Sequence, residues 1–129
     1  VITNQNAQNI STLAICSLET MKNYIGLDAM TMISSEKFGA TKGLEKADRL
    51  IEISEQWKAK TYINPSGGKN LYTKPYFAER KIALRFIKNQ LPEYPQFKTP
   101  FHAGLSIIDV LMFNNLHEVK GMLDEYSLD

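Results

Sequence analysis

Apolar residues recur every three to four positions in three parts of the chain, a spacing that lines one face of a helix. The first part begins after Asn9 and stops at Gly26, a residue type that commonly ends helices. The second part spans residues 44–58 and places its charged side chains mainly away from the apolar face. The third part spans residues 116–126. The pattern therefore predicts three amphipathic helices.

Three shorter runs are rich in β-branched, aromatic or other apolar residues, which predicts strands. They lie at residues 29–33, 62–63 and 82–87. A short helical turn is predicted after Pro75. The connector at residues 91–96 is predicted to be extended, because its two prolines lack an N–H donor and have a fixed φ.

One further apolar run completes the order of predicted elements. Residues 105–113 are apolar apart from Ser106 and Asp109, which predicts a buried helix, with a strand as the alternative for so short a run. The order of helices and strands predicts an α/β fold, in which helical crossovers favour parallel strands. We therefore expect a small, mostly parallel three-layer sheet of about three strands with flanking helices. So small a sheet also predicts that the chain is part of a larger domain.

Length and charge restrict the classes of protein. With 129 residues, the chain has room for one domain with a buried core, so residues 1–129 are predicted to form a single α/β domain with a flexible start at residues 1–8. Fifteen basic and 14 acidic side chains leave a net charge of +1, so we expect no nucleic-acid partner. No apolar run approaches the ~20 residues that cross a bilayer, so no membrane span is predicted.

Cysteine and histidine are scarce. The single cysteine, Cys16, excludes an internal disulfide and fits a reducing cytoplasm. Its place in an amphipathic helix favours core packing over a nucleophilic role. His102 and His117 are far apart and form no recognisable zinc pattern with one cysteine, so no metal site is predicted. Composition leaves the cofactor and the oligomeric state open.

The best candidate for a ligand site is the loop formed by Ser66, Gly67, Gly68 and Lys69, which follows a predicted strand. Adjacent glycines relax the steric limits on φ and let backbone N–H groups point together at an anion. Lys69 adds a positive charge and Ser66 a hydroxyl, so a phosphate or a carboxylate is the expected ligand. The alternative interpretation is a plain turn that needs a positive φ.

Known phosphate-binding motifs do not fit this loop. A Walker A loop has a leading glycine and a following Ser or Thr, and both are missing here. The SGGxDS loop of ATP pyrophosphatases also joins a strand to a helix, but Asn70 and Leu71 stand where that motif has Asp and Ser. The pyrophosphatase interpretation is therefore the weaker one.

Charged side chains on two predicted helices provide further candidates. Lys46 and Arg49 lie on one helix face and are predicted to meet an anion at the glycine loop, with a solvated helix face as the alternative. Asp109 interrupts an apolar helix and needs a partner, for which Lys69 and Arg49 are candidates. Asp109 and His102 are the candidate catalytic residues for proton transfer, with purely structural roles as the alternative.

Several of these segments together resemble the WbqC-like protein family. They occur in the expected order over residues ~41–115, which is more specific than any one motif. The segments are Lys46–Ile51, Tyr62–Tyr72, Tyr94–Gln96 and Leu105–Leu111. The residues carried over by this match are Lys46, Arg49, Ser66, Gly67, Gly68, Lys69, Tyr94, Gln96, Ser106 and Asp109.

The resemblance implies a function. Members of that family are considerably longer and usually open with a His-Gln-Pro stretch. This stretch is absent here. The chain is therefore expected to be the C-terminal portion of a longer protein. The association of the family with bacterial surface-polysaccharide genes implies acyl or aminoacyl transfer onto a nucleotide-linked amino sugar, with a small anionic or nucleotide-linked sugar as ligand. The alternative is a non-catalytic ligand-binding or assembly domain.

Overall fold

The computed structural model describes residues 9–98 and 100–129, so the predicted flexible start at residues 1–8 lies outside the described part. The helices are α1 (Ile10–Ile25), α2 (Ser34–Lys37), α3 (Lys46–Gln56), α4 (Lys74–Ala78), α5 (Ile107–Phe113) and α6 (Leu116–Leu123). The strands are β1 (Thr61–Pro65), β2 (Ala83–Asn89) and β3 (Tyr126–Leu128), and two 3₁₀ turns span Gly39–Thr41 and Ser66–Asn70. The predicted small α/β fold is confirmed.

The three strands form one sheet in which β2 lies between β1 and β3. β1 runs parallel to β2, with Tyr62 opposite Leu84 and Asn64 opposite Phe86. β3 runs antiparallel to β2. The sheet is therefore mixed rather than mostly parallel, because its last strand enters in the opposite direction.

The core lies on one face of this sheet. Leu84 and Phe86 of β2 pack against Ile51 of α3 and Phe77 of α4, and all four side chains are buried. Successive side chains of a strand point to opposite faces. On the other face of β1 and β2 the side chains are mainly exposed, and Ile63 is 49% exposed. In the described part of the chain the sheet therefore has one covered face, and the predicted third layer is not formed.

Helix α1 begins and ends where the sequence predicts. The side-chain oxygen of Asn9 accepts a hydrogen bond from the backbone N–H of Thr12 at 2.8 Å, which satisfies a free donor of the first turn. Gly26 has a φ of 76°, and its N–H donates to the carbonyl of Lys22 at 3.0 Å. Glycine adopts this left-handed conformation without a Cβ clash, which is why the helix stops there.

Two local predictions are wrong and one is wrong in part. Residues 29–33 have no regular structure, because no described strand pairs with them. Tyr126 was expected in the last helix but begins β3, since α6 ends at Leu123 and the chain then pairs with β2. The helix expected at residues 105–113 is present as α5, but none of its residues is buried. The helical turn at Pro75 is confirmed, and residues 91–96 have no regular structure, as expected.

Candidate functional site

The glycine loop is a 3₁₀ turn that follows β1 directly. Neither Gly67 nor Gly68 has a positive φ, so the interpretation that this turn needs a left-handed glycine is wrong. Gly68 is buried, and a Cβ there would lie 1.8 Å from Nδ2 of Asn64. No atom lies within 4 Å of the corresponding position at Gly67. The loop thus needs glycine at position 68 for space and at position 67 for no steric reason.

Lys69 holds a carboxylate at the end of β1. Its Nζ donates a hydrogen bond to Asp129, and Nζ of Lys74 lies 3.6 Å from the other oxygen of the same carboxylate. The hydrogen bond from Lys69 is the main reason why the pKa of Asp129 lies below its ordinary value. The Ser66 hydroxyl donates to the carbonyl of Ile87 at 2.6 Å and so ties the loop to β2. Lys69 of the loop and Lys74 of α4 therefore present two cations to one anionic group.

Arg49 binds a different part of the chain. Its Nε donates to the hydroxyl of Thr41 at 3.1 Å, and one of its terminal nitrogens donates to the hydroxyl of Ser34 at 3.4 Å. Lys46 is exposed and forms no ion pair or hydrogen bond with any residue that the structure describes. No such bond joins either cation to the glycine loop among the described residues. Their proposed role in anion binding stays a prediction.

Asp109 is the centre of a separate hydrogen-bond network. Its Oδ2 accepts from the hydroxyl of Tyr94 at 2.7 Å and from Nε2 of Gln96 at 3.1 Å. Gln96 also donates to the backbone carbonyl of His102 and accepts from the backbone N–H of that residue at 2.9 Å. Ser106, one turn before Asp109, caps α5 through the N–H of Ile108. Gln96 thus links the carboxylate of Asp109 to the backbone of His102.

The partners of Asp109 differ from those expected. Lys69 and Arg49 are the partners expected from the sequence, whereas the structure provides the phenol of Tyr94 and the carboxamide of Gln96. The contacts of His102 in this network are made by its backbone, and its side chain is exposed. Whether either residue takes part in catalysis stays a prediction.

The bond from Tyr94 to Asp109 has a consequence for pH. It is the main reason why the pKa of Tyr94 is raised above its ordinary value of 10.0, because a hydroxyl that donates to a carboxylate resists ionisation. A raised tyrosine pKa means that the bond stabilises the fold fully below the unfolded pKa of about 10, and this stabilisation is lost as the pH rises through the folded value.

We expect the ¹³Cζ resonance of Tyr94 to titrate with a midpoint above 10.0 in the unmodified chain. In the Asp109→Asn variant the acceptor loses its charge, so the midpoint should fall towards the ordinary value. An NMR titration of both proteins checks this. Equal midpoints would mean that Asp109 does not control the ionisation of Tyr94.

One comparison with known proteins finds a match. The sequence profile of the WbqC-like protein family matches residues 1–120. The chain belongs to the WbqC-like protein family. No curated protein and no solved structure matches it.

The range matched by the WbqC-like family includes both groups of candidate residues, the glycine loop and the network around Asp109. It is wider than residues ~41–115, on which the resemblance was recognised. Asp129, which Lys69 holds, lies outside it. The carboxylate that pairs with Lys69 and Lys74 is therefore not part of the matched family sequence.

In this WbqC-like chain, Lys74 and Asp129 form ion pairs at the glycine loop that were not predicted from the sequence. Neither lies in a motif, and Asp129 is 60 positions from Lys69, so no local signal pointed to the pair. Tyr94 and Gln96 were recognised through the Tyr94–Gln96 segment, but nothing in the sequence indicated that they would bind Asp109. Contacts between distant segments depend on the tertiary fold.

Among the described residues, no three His, Cys, Asp or Glu side chains come together as a metal ion would require. No helix of the described part has the length and apolar character to cross a membrane.

Proposed function

We propose that this WbqC-like protein transfers an acyl or aminoacyl group onto a nucleotide-linked amino sugar during the synthesis of a bacterial surface polysaccharide in the cytoplasm. The glycine loop would hold the phosphate or carboxylate of one substrate. Family membership supports the broad assignment, and the resemblance described above implies the reaction. The observation that carries the site is the carboxylate held by Lys69 and Lys74.

The position of this carboxylate favours a ligand site. It lies next to the loop that follows the carboxyl end of β1, which runs parallel to β2. Ligands of open α/β sheets collect outside the carboxyl ends of parallel strands. Lys69, Lys74 and Asp129 are each about half exposed, so the ion pair is screened by water and an external anion can displace the Asp129 carboxylate at low cost.

The proposed transfer is a substitution at a carbonyl carbon. The amino nitrogen of the sugar forms the new N–C bond, the bond from the carbonyl carbon of an acyl ester or thioester to its leaving group breaks, and the leaving group departs with that electron pair. The nitrogen then loses one proton. Asp109 and His102 are the residues that we propose to receive or relay this proton, because carboxylate and imidazole side chains both serve as general acids and bases.

The anion site is tested by following the amide resonances of Gly67 and Lys69 during titration with inorganic phosphate, ATP and UDP-glucosamine. We expect the resonances to shift at millimolar ligand. The Lys69→Ala variant should bind the ligand at least about fivefold more weakly, since a charged hydrogen bond is lost. Asp129→Asn should strengthen phosphate binding about threefold or more, because it removes the competing carboxylate.

The matched control is Lys60→Ala. Lys60 is an exposed lysine that immediately precedes β1, at the opposite end of the strand from the loop. Its removal changes the net charge by the same amount, so binding should stay as in the unmodified protein. If none of the three ligands shifts these resonances, the assignment of the site is overturned. The same holds if Lys60→Ala and Lys69→Ala lower the affinity for the ligand equally.

A non-catalytic ligand-binding domain is the second candidate function. It is favoured by the contacts of Asp109, whose Oδ2 is occupied by Tyr94 and Gln96 in a network that holds the connector against α5. In this second candidate the carboxylate has a structural role. Measurable transfer by this chain, abolished in Lys69→Ala at unchanged thermal stability, would contradict this second candidate.

A further inference from the structure

A second concave site lies apart from the glycine loop. It is a cavity of about 280 Å³ between the extended connector, α5 and α6. Val110 of α5 and the buried Val119 of α6 belong to its lining. Leu91, Leu105 and Leu123 also line it and are 55%, 50% and 40% exposed, respectively. Apolar side chains that surround a concave space and still contact water gain free energy when an apolar ligand covers them.

The size of the cavity restricts the ligand. A cavity of about 150 Å³ lined by apolar side chains accommodates a six-carbon ring. This cavity is larger but lies below the roughly 300–1,000 Å³ of sites for drug-sized ligands. A flexible chain of about six carbons therefore fits, whereas a nucleotide or a sugar nucleotide would extend beyond the cavity.

The charge of the lining restricts the polar end of the ligand. Among the described residues that line the cavity, Glu125 is the only charged one, and Asn89 and Gln90 add uncharged amides to the lining. The backbone N–H of Gln90 donates to the carbonyl of Glu125 at 2.8 Å, so these two lining residues are neighbours in space. A ligand carboxylate would meet the like charge of Glu125, whereas an ammonium or hydroxyl group would meet an acceptor. The cavity is thus electrostatically opposite to the lysine pair at the glycine loop.

We propose that this cavity binds an unbranched aliphatic chain of about six carbons whose polar end is an ammonium or hydroxyl group. The site rests on the cavity alone and is independent of the anion site of the proposed function. The two sites share no residue, so substitutions in one leave the contacts of the other in place.

The test is a titration of the full chain with hexan-1-amine, hexan-1-ol and hexanoate, followed through the methyl resonances of Val110 and Leu123. We expect saturable shifts with the amine and the alcohol. Butan-1-amine should bind more weakly by about fourfold for each methylene removed. Hexanoate should bind at least about fivefold more weakly than hexan-1-amine at low salt, and Glu125→Gln should reduce this difference.

Matched variants separate the cavity from the surface of α5. Val110→Phe fills the cavity and should abolish the shifts of the remaining methyl probes. Met112→Phe adds an aromatic ring on the same helix at a position that is 70% exposed and outside the cavity lining, and it should leave binding unchanged. Leu105→Gln, at a half-exposed position, serves if Val110→Phe does not fold, and should weaken binding severalfold.

We expect a Kd no higher than about 50 mM for a cavity of this size. If no saturable shift is seen at about that ligand concentration, the proposal is overturned. Equal binding of hexanoate and hexan-1-amine would also overturn it, as would shifts that persist in both Val110→Phe and Leu105→Gln. Because phosphate binding at Lys69 is measured separately, failure here leaves the proposed function unaffected.

Discussion

Replacement of Phe77 by alanine is expected to lower the free energy of unfolding by about 3–5 kcal/mol, the usual cost of removing a buried aromatic ring. Phe77 is fully buried and stacks on Tyr62 with ring centroids 5.7 Å apart, while Tyr72 meets it edge-on at 6.2 Å. It joins α4 to β1 and to the residues that follow the glycine loop. Urea denaturation of the purified variant measures the loss.

Phe97→Ala is the matched control, because it removes the same ring at a position that is 88% exposed. Its contact with Phe113 is a surface contact, so we expect a loss of about 1 kcal/mol or less. If Phe77→Ala does not fold, Phe77→Leu keeps most of the apolar volume and should cost about 1.5 kcal/mol or less. If Phe77→Ala and Phe97→Ala lower the free energy of unfolding equally, the position of the core is contradicted.

Gly68→Ala is expected to destabilise the protein by about 2 kcal/mol, within the usual range for overpacking. The added Cβ would lie 1.8 Å from Nδ2 and 3.1 Å from Cγ of Asn64, so that side chain must leave its place. The same substitution at Gly67 meets no atom within 4 Å and no positive φ. Gly67→Ala should therefore be neutral, or stabilise by up to about 1 kcal/mol through the lower entropy of the unfolded chain.

A double-mutant cycle identifies the cause of the effect at position 68. Once Asn64→Ala has removed the clashing amide, Gly68→Ala should cost about 1 kcal/mol less than it does in the unmodified chain. Thermal or urea denaturation of the four proteins gives the coupling energy. A cost at position 68 that is unchanged by Asn64→Ala, or equal costs at positions 67 and 68, would show that the clash is not the cause.

The local elements of this protein were largely predictable. The helix at Ile10–Ile25 has its apolar spacing and its glycine stop within one continuous segment, and the sequence pattern indicated both. The strand at residues 82–87 was likewise predicted by its β-branched and aromatic residues. Such signals involve neighbours in sequence and need no knowledge of the rest of the fold.

Elements that depend on a distant partner were not predictable in the same way. Residues 29–33 have the composition of a strand, but no described strand lies beside them, whereas Tyr126–Leu128 becomes a strand because β2 offers an edge. A strand is stabilised by hydrogen bonds to another strand, and intrinsic preference spans only about 1 kcal/mol. The pairing therefore outweighs the local composition in both segments.

The same division applies to the candidate site. The amino-acid sequence by itself determined the strand that leads into a glycine loop ending on Lys69, the α/β class and the membership of the WbqC-like family. Only the tertiary structure decided that Lys69 meets Asp129 and that Asp109 meets Tyr94 and Gln96. The loop follows from spacing along the chain, whereas a charged or polar pair forms wherever folding brings its two members within hydrogen-bond distance.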